Sequence, residues 1–168
     1  MDDDLRARIA GALAAAGIIG FKDTTTGIRP QWRASFSFRG KLHGETSYVH
    51  IYVPASADQL QVNCSAPASS LDPMSAQQLQ GEMARFSTSH AAGSAELASM
   101  LGELGATPAD ISGWETAMRP YMGMRHRMVL ASVKMSLASL SGSSLDLAIR
   151  LGLKLARAAR DSLAADLR

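Results

Sequence analysis

The chain has one cysteine and no long hydrophobic run, and each of these two shortages excludes a class of protein. Cys64 has no second cysteine to pair with, so an internal disulfide is excluded and a reducing compartment is expected. The apolar stretch at residues 9–19 is too short to span a bilayer, and residues 128–149 contain Lys134 and Asp146. We therefore expect a cytoplasmic protein without a membrane span.

The chain also has no sequence motif that identifies a catalytic activity. It lacks a Gly-x-Ser-x-Gly motif, a phosphate-binding loop, a dinucleotide fingerprint and paired carboxylates. The four histidines, His43, His50, His90 and His126, stand at no recognised metal-ligand spacing. These absences favour a non-catalytic protein with no cofactor and no metal, although many enzymes carry no readable motif.

What the chain does contain predicts a compact α+β domain over residues 1–168. Hydrophobic residues make up 46% and charged residues 19%, which is typical of a globular protein. An apolar stripe predicts a helix over residues 4–17. Alternating apolar and polar residues then predict a three-stranded antiparallel meander, with strands at Trp32–Phe38, Val49–Val53 and Leu60–Cys64.

The half of the chain after this meander is predicted to be helical. Residues 1–66 thus form the helix-plus-meander part, and residues 72–168 form the helical part, with a boundary near residue 70. Four of the expected helices span residues 72–88, 94–104, 122–140 and 145–166. A further helix is expected to begin at Thr107-Pro108 and to contain Trp114 and Met118.

Charge is unevenly distributed along the chain. Residues 55–117 carry seven acidic side chains and one basic side chain, whereas residues 118–168 carry nine basic and three acidic ones. Such a partition predicts either contacts between neighbouring helices or subunits, or a surface that attracts an external anion.

The polar face of the meander is the first candidate site. Arg33, Arg39, Tyr48, His50 and Tyr52 are expected to project from one surface. Aromatic rings flanked by arginines are able to stack nucleic-acid bases, to hold a small polar ligand or to pair with another subunit. An ordinary solvent-facing sheet surface is the competing interpretation.

The expected helix at 122–140 is the second candidate. Met124 and Met128 flank Arg125, His126 and Arg127. An exposed row of methionines is suited to a peptide-binding groove, and the basic triplet is suited to a phosphate or carboxylate. The alternative is a core seam in which methionines fill gaps.

The last helix is the third candidate. Arg150, Lys154 and Arg157 cluster opposite its apolar side, with Gly152 in the middle of that apolar side. This basic ridge is suited to nucleic acid, to an acidic protein or to an anionic membrane surface. A solvated helix face explains the same pattern.

The order of amphipathic helix, loop, three-stranded meander and helix resembles the bacterial type III secretion chaperones and their YbjN-like relatives. The segments that carry the resemblance are Leu5–Gly20, Trp32–Phe38, Val49–Val53 and Leu60–Cys64, and it covers about half of the chain. It implies a homodimer that binds a partner polypeptide. Those chaperones are acidic and carry more strands after the second helix, whereas this chain is basic overall and is predicted to be helical to its end.

Together these observations favour a protein-binding adaptor or chaperone-like homo-oligomer. The alternatives are a nucleic-acid-binding protein that uses the sheet face and the last helix, and a small-ligand-binding protein or enzyme with its site on the Tyr/His/Arg sheet face.

Overall fold

The computed structural model has an α+β architecture, with a layer of helices packed on one face of an antiparallel sheet. It describes residues 2–23, 32–54, 59–91, 93–107, 113–120, 127–136 and 142–165. Within these residues the helices are α1 (Asp2–Ala15), α2 (Ala76–Ser89), α3 (Ala95–Glu103) and α4 (Gly142–Ala165). The predicted mixture of helices and antiparallel strands is therefore confirmed.

The sheet has six strands in the order β1-β2-β3-β4-β6-β5. They are β1 (Ile19–Asp23), β2 (Trp32–Leu42), β3 (Glu45–Pro54), β4 (Gln59–Pro67), β5 (Gly113–Pro120) and β6 (Arg127–Ser136). Strands β2, β3 and β4 are the predicted meander, and all neighbouring strands pair antiparallel. A two-residue turn with positive φ at His43 and Gly44 joins β2 to β3, as tight hairpins require.

The prediction of helices over 107–118 and 122–140 is wrong where the structure describes these residues. β5 and β6 form a hairpin instead, and β6 pairs with β4. In β6 the side chains of Val129, Ala131, Val133 and Met135 are buried on the face that packs against α4. Methionine and alanine favour helices in isolation, but pairing with β4 outweighs that preference.

β1 and the start of α2 also differ from the prediction. Residues 19–23 form an edge strand on β2, because Gly40 leaves room for Ile18 and Phe21. Ser75 rather than Asp72 caps α2: its hydroxyl accepts from the Gln78 amide, and the Gln78 side chain accepts from the Ser75 amide.

One continuous apolar core lies between the sheet and the helices. α4 crosses β4 and β6, and α1 and α2 pack beside it. The largest fully buried side chains come from α1, the sheet, the 3-10 turn Ser69–Leu71, α3 and α4, and include Ile9, Leu13, Ile51, Leu60, Leu71, Leu101, Leu145, Ile149 and Leu155. The sheet therefore has an inner face covered by helices and an outer face on which no described helix packs.

Candidate functional site

The outer sheet face brings together four of the residues singled out from the sequence. Tyr48, His50 and Tyr52 alternate along β3 and are half-buried, because every second residue of a strand shares a face. Arg39 of β2 pairs with Tyr48 and is exposed. The backbone of Arg33 lies at a register irregularity of β2, and its side chain is outside the described part of the chain.

The centre of this face is a polar row that crosses the sheet. Ser37, His50, Asn63 and Ser132 are successive partners on β2, β3, β4 and β6. Ser37 Oγ and His50 Nδ1 share a hydrogen bond at 2.8 Å, and the His50 and Tyr52 rings stack with centroids 6.2 Å apart. Burial lowers the pKa of His50 below its usual value, so its ring is neutral at neutral pH.

One corner of the outer face is cationic. Lys22 pairs with Arg39 across β1 and β2, and Lys41 lies two residues along the same face. With Tyr48 and Thr46 they line a hollow of about 410 Å³, in which no acidic side chain is found among the described residues. Ile19, which pairs with Lys41, is 75% exposed. This corner offers positive charge beside apolar surface.

Sequence reasoning missed Lys22 and Lys41 as members of this corner. Lys22 lies in β1, which no residue pattern identified, and Lys41 lies beyond the predicted end of the strand at Phe38, whereas β2 extends to Leu42. The available signal was the polar alternation Ser37, Arg39, Lys41, which continues β2 to Leu42.

The basic ridge of α4 lies on the helix side of the sheet, away from Tyr48, His50 and Tyr52. Arg150 pairs with Asp146 at 3.7 Å, and Lys154 pairs with Glu103 of α3. The sheet face and the last helix therefore do not form one continuous surface. Part of the basic tail is neutralised inside the molecule by the acidic segment before it, as one of the two charge interpretations predicts.

Arg160 is a buried arginine whose role the sequence did not reveal. It donates to Glu45 at 2.7 Å, to Asp161 at 3.0 Å and to the carbonyl of Pro67 at 3.2 Å. Burial alone would lower the pKa of Arg160, but these hydrogen bonds and the two negative charges raise it. In the sequence, Arg160 is distinguished only by its position at the edge of the apolar stripe of the last helix.

The methionine-rich candidate site is corrected by the structure. Met128 lies in β6 and is buried, so it does not belong to an exposed helix. Arg127 begins β6 but its side chain is not described, and Met124, Arg125 and His126 lie outside the described residues. No peptide groove built on Met128 is supported.

The described residues contain no constellation that suggests covalent or metal chemistry. Cys64 is fully buried on the inner face, where its Sγ lies 3.6 Å from the carbonyl oxygen of Ile149 and burial raises its pKa. His50 points to the opposite face, so the two do not form a nucleophile–base pair. No group of three or more His, Cys, Asp or Glu side chains in the described part is placed to hold a metal ion.

Comparisons with known proteins add a structural likeness only. No protein-family model matches the chain, and no curated protein matches it significantly. An uncharacterized protein from Methanothermobacter thermautotrophicus is similar in structure, with a TM-score of 0.40 and 13% identity, covering 93% of this chain and 96% of the other. None of the described helices combines the length and hydropathy that crossing a membrane requires.

Proposed function

We propose that this protein binds a partner polypeptide through the outer face of its sheet, as a chaperone-like adaptor that self-associates. The main support for this proposal is that the described helices cover only one face of the sheet. All described helices that pack on the sheet contribute to the core on its inner face, and no described helix packs on its outer face. A sheet face with half-buried tyrosines is suited to contact with another chain, because tyrosine combines a large apolar ring with a polar end.

The chemistry of the outer face specifies the partner. Lys22, Arg39 and Lys41 form no ion pair with any described residue, and exposed Ile19 lies beside them. A partner segment with acidic side chains next to apolar ones complements this corner. Charge complementarity of this kind accelerates association and selects partners.

The order of elements also supports the proposal. Type III secretion chaperones carry more strands after the second helix, where this chain was expected to differ, and β5 and β6 follow α2 and α3. The partner-binding and homo-oligomeric character that the resemblance implies is thus proposed for this chain together with the outer-face site.

The proposal is tested by affinity capture from cells that naturally produce the protein, followed by mass spectrometry. The outer face is altered in the double variant Tyr52→Ser and Arg39→Glu. The matched control is Arg85→Glu, because the Arg85 side chain is 74% exposed on α2 and lies on the helix side.

We expect a defined partner to co-purify with the wild-type protein and the control, and to be lost with the outer-face variant. Recovery of the same partner at equal yield with all three proteins contradicts the outer-face site. Failure to recover any partner above background contradicts the function.

A nucleic-acid-binding function is the second candidate, favoured by the cationic hollow beside Tyr48. It rests on the sheet face alone, because the ridge of α4 lies on the other side. Single-stranded RNA or DNA binding that falls steeply with salt, and that weakens with Arg39→Glu, would support this candidate over the first. The hollow does not include His50 or Tyr52 in its described lining, so nothing there favours an enzyme.

A further inference from the structure

Three cations surround one hollow on the outer sheet face, at the corner where β1, β2 and β3 lie side by side. Lys22, Arg39 and Tyr48 are successive partners on these strands and form one row of outer positions. Lys41 and its partner Thr46 lie in the next row, two residues along β2 and β3. Because neighbouring strands are about 5 Å apart and alternate residues of a strand about 7 Å apart, the three cationic side chains are able to reach a single group in the hollow.

The charge of this corner is not neutralised within the described part of the molecule. All three cationic side chains are exposed to solvent, and none forms an ion pair with a described residue. Strand β2 has no acidic residue. The acidic residues of β1 and β3, Asp23 and Glu45, pair instead with Arg6 of α1 and Arg160 of α4. The three cations therefore remain available to an anion from outside the described residues.

The arrangement of these cations destabilises the free protein. Like charges directly opposite each other on paired strands repel, and Lys22 is the direct partner of Arg39. The register of this pair of strands shifts between Ile19 and Lys22, where β1 contains one extra residue and Gly20 has a φ of 63°. Bulges of this kind change the direction of side chains and are common next to functional sites. Binding of an anion among the three cations would remove the repulsion.

We propose that this corner binds a phosphorylated side chain of the partner polypeptide, with Lys22, Arg39 and Lys41 donating hydrogen bonds to the phosphate. A phosphate monoester has about two negative charges and three acceptor oxygens, one for each cation, whereas a carboxylate has one charge and two oxygens. The hollow of about 410 Å³ admits the phosphate together with the side chain that carries it. Exposed Ile19, beside the hollow, offers a contact for an apolar neighbour of the phosphorylated residue.

This inference rests on the proposed polypeptide-binding function and specifies the chemical group that the outer face recognises. Treating the cell extract with a phosphatase before affinity capture should therefore remove the partner. A partner that is captured equally well after phosphatase treatment overturns the phosphate site and leaves the polypeptide-binding function in place. Capture of no partner contradicts the function, whereas a titration with synthetic peptides decides the phosphate site without a captured partner.

The titration uses isothermal calorimetry and a terminally blocked heptapeptide, Ala-Thr-Val-X-Val-Thr-Ala, in which X is phosphoserine, glutamate or serine. The residue X thus supplies the only charge of the peptide. Single-stranded oligothymidylate tests the nucleic-acid alternative, because its phosphodiesters carry one charge each. The variants are Lys22→Gln, Arg39→Gln and Lys41→Gln. The matched control is Lys134→Gln, since Lys134 pairs with Gln61 on the same face of the sheet and lies outside the hollow.

We expect the phosphoserine peptide to bind at least about tenfold more tightly than the glutamate peptide, and the serine peptide to bind most weakly, because each cation adds a charge-assisted hydrogen bond. Each of the three corner variants should weaken binding of the phosphoserine peptide by about fivefold or more. Lys134→Gln should change it by less than about twofold. Without peptide, Lys22→Gln should unfold at the same temperature as wild type or at a higher one, because it removes the repulsion with Arg39.

Three results overturn the proposal. The first is binding of the phosphoserine peptide that does not exceed binding of the glutamate peptide, including no binding of either. The second is an affinity for the phosphoserine peptide that is unchanged in the three corner variants, or that falls equally in Lys134→Gln, since this would indicate attraction to the whole face. The third is tighter binding of oligothymidylate than of the phosphoserine peptide, which would favour the nucleic-acid function instead.

Discussion

At the scale of single residues, Gly152 has a structural role that its sequence position only hinted at. A glycine in the middle of an apolar helix face weakens the helix, and the close approach of a neighbouring element is one reason for a glycine at such a position. In the structure α4 crosses β4 at this point: a Cβ added to Gly152 would lie 2.7 Å from Cys64 Sγ and 3.2 Å from Cys64 Cβ. The absence of a side chain is what lets the helix reach the sheet.

We therefore expect Gly152→Ala to destabilise the protein by about 1–2 kcal/mol, because overpacking at the crossing outweighs the better helix propensity of alanine. Urea denaturation measures the change. Gly81→Ala is the matched control, since a Cβ there meets nothing within 4 Å and should stabilise α2 by about 0.5–1 kcal/mol.

The same urea denaturation assay tests whether Cys64 is the residue that leaves no room for a side chain at position 152. In a background of Cys64→Ala the 2.7 Å contact with Sγ is removed and only the 3.2 Å contact with Cβ remains, so Gly152→Ala should then cost less than it does in the wild type. An increase in stability for Gly152→Ala alone would show that the crossing is looser than the distances indicate.

His50 should make stability depend on pH. Its pKa in the folded protein is lowered by burial, so the unfolded chain binds a proton more readily. Stability from this residue is complete above the ordinary histidine pKa, and is lost as pH falls from there toward the folded pKa.

We expect the urea midpoint to fall between pH 7.5 and pH 5.5, and to fall less in His50→Gln. Exposed His43, which lies in a turn with positive φ, supplies the control His43→Asn. An identical pH dependence in wild type and His50→Gln would refute the role of His50.

At the scale of elements, the contact between α4 and the β2–β3 hairpin depends on Arg160. This guanidinium joins the last turns of α4 to Glu45 and to the carbonyl that ends β4. Its side chain is 10% exposed, whereas that of Glu45 is 38% exposed. The arginine is therefore the more costly partner to remove.

We expect Arg160→Ala to destabilise the protein by about 2 kcal/mol, because packing and charge-assisted hydrogen bonds are lost. Glu45→Gln should destabilise it by only about 1 kcal/mol, because Asp161 and the Pro67 carbonyl still accept hydrogen bonds from Arg160. Arg150→Ala, which breaks a partly exposed pair within α4, should cost under about 0.5 kcal/mol. Equal costs for Arg160→Ala and Arg150→Ala in thermal denaturation would contradict this ranking.

The hairpin of β5 and β6 is the element that sequence patterns misidentified. In residues 128–135 the buried inner positions Val129, Ala131, Val133 and Met135 alternate with outer positions such as Ser132 and Lys134, of which Ser132 is also buried. Their composition is rich in residues that also favour helices, and the apolar residues Met128 and Leu130 at outer positions interrupt the alternation of polar and apolar side chains. The deciding interaction is the pairing of β6 with β4, which lies more than sixty residues earlier in the chain.

At the scale of the whole molecule, the one-sided arrangement separates two surfaces of different character. The inner face and its helices contain the internal ion pairs, including Lys154–Glu103, which unites the basic and acidic segments. The outer face carries cations that no described residue neutralises. Among the described residues, Lys22, Arg39 and Lys41 on the sheet and Arg157 on the last helix form no ion pair, whereas Arg150 and Lys154 are paired.

If the protein self-associates as proposed, light scattering after size-exclusion chromatography should give a mass of at least twice 17.8 kDa. The mass should persist in Arg85→Glu. A strictly monomeric mass at high concentration would contradict the proposed self-association. It would not test the binding of a different partner.

The sequence by itself determined the meander and the amphipathic last helix, because their periods of two and of 3.6 residues are local patterns that need no distant partner. The tertiary structure decided the strands β1, β5 and β6, which exist through pairing with β2 and β4. It also decided which cations are available. The pair of Arg150 with Asp146 follows from a local i,i+4 spacing, but the pair of Lys154 with Glu103 joins α4 to α3 and depends on a distance that no local pattern specifies.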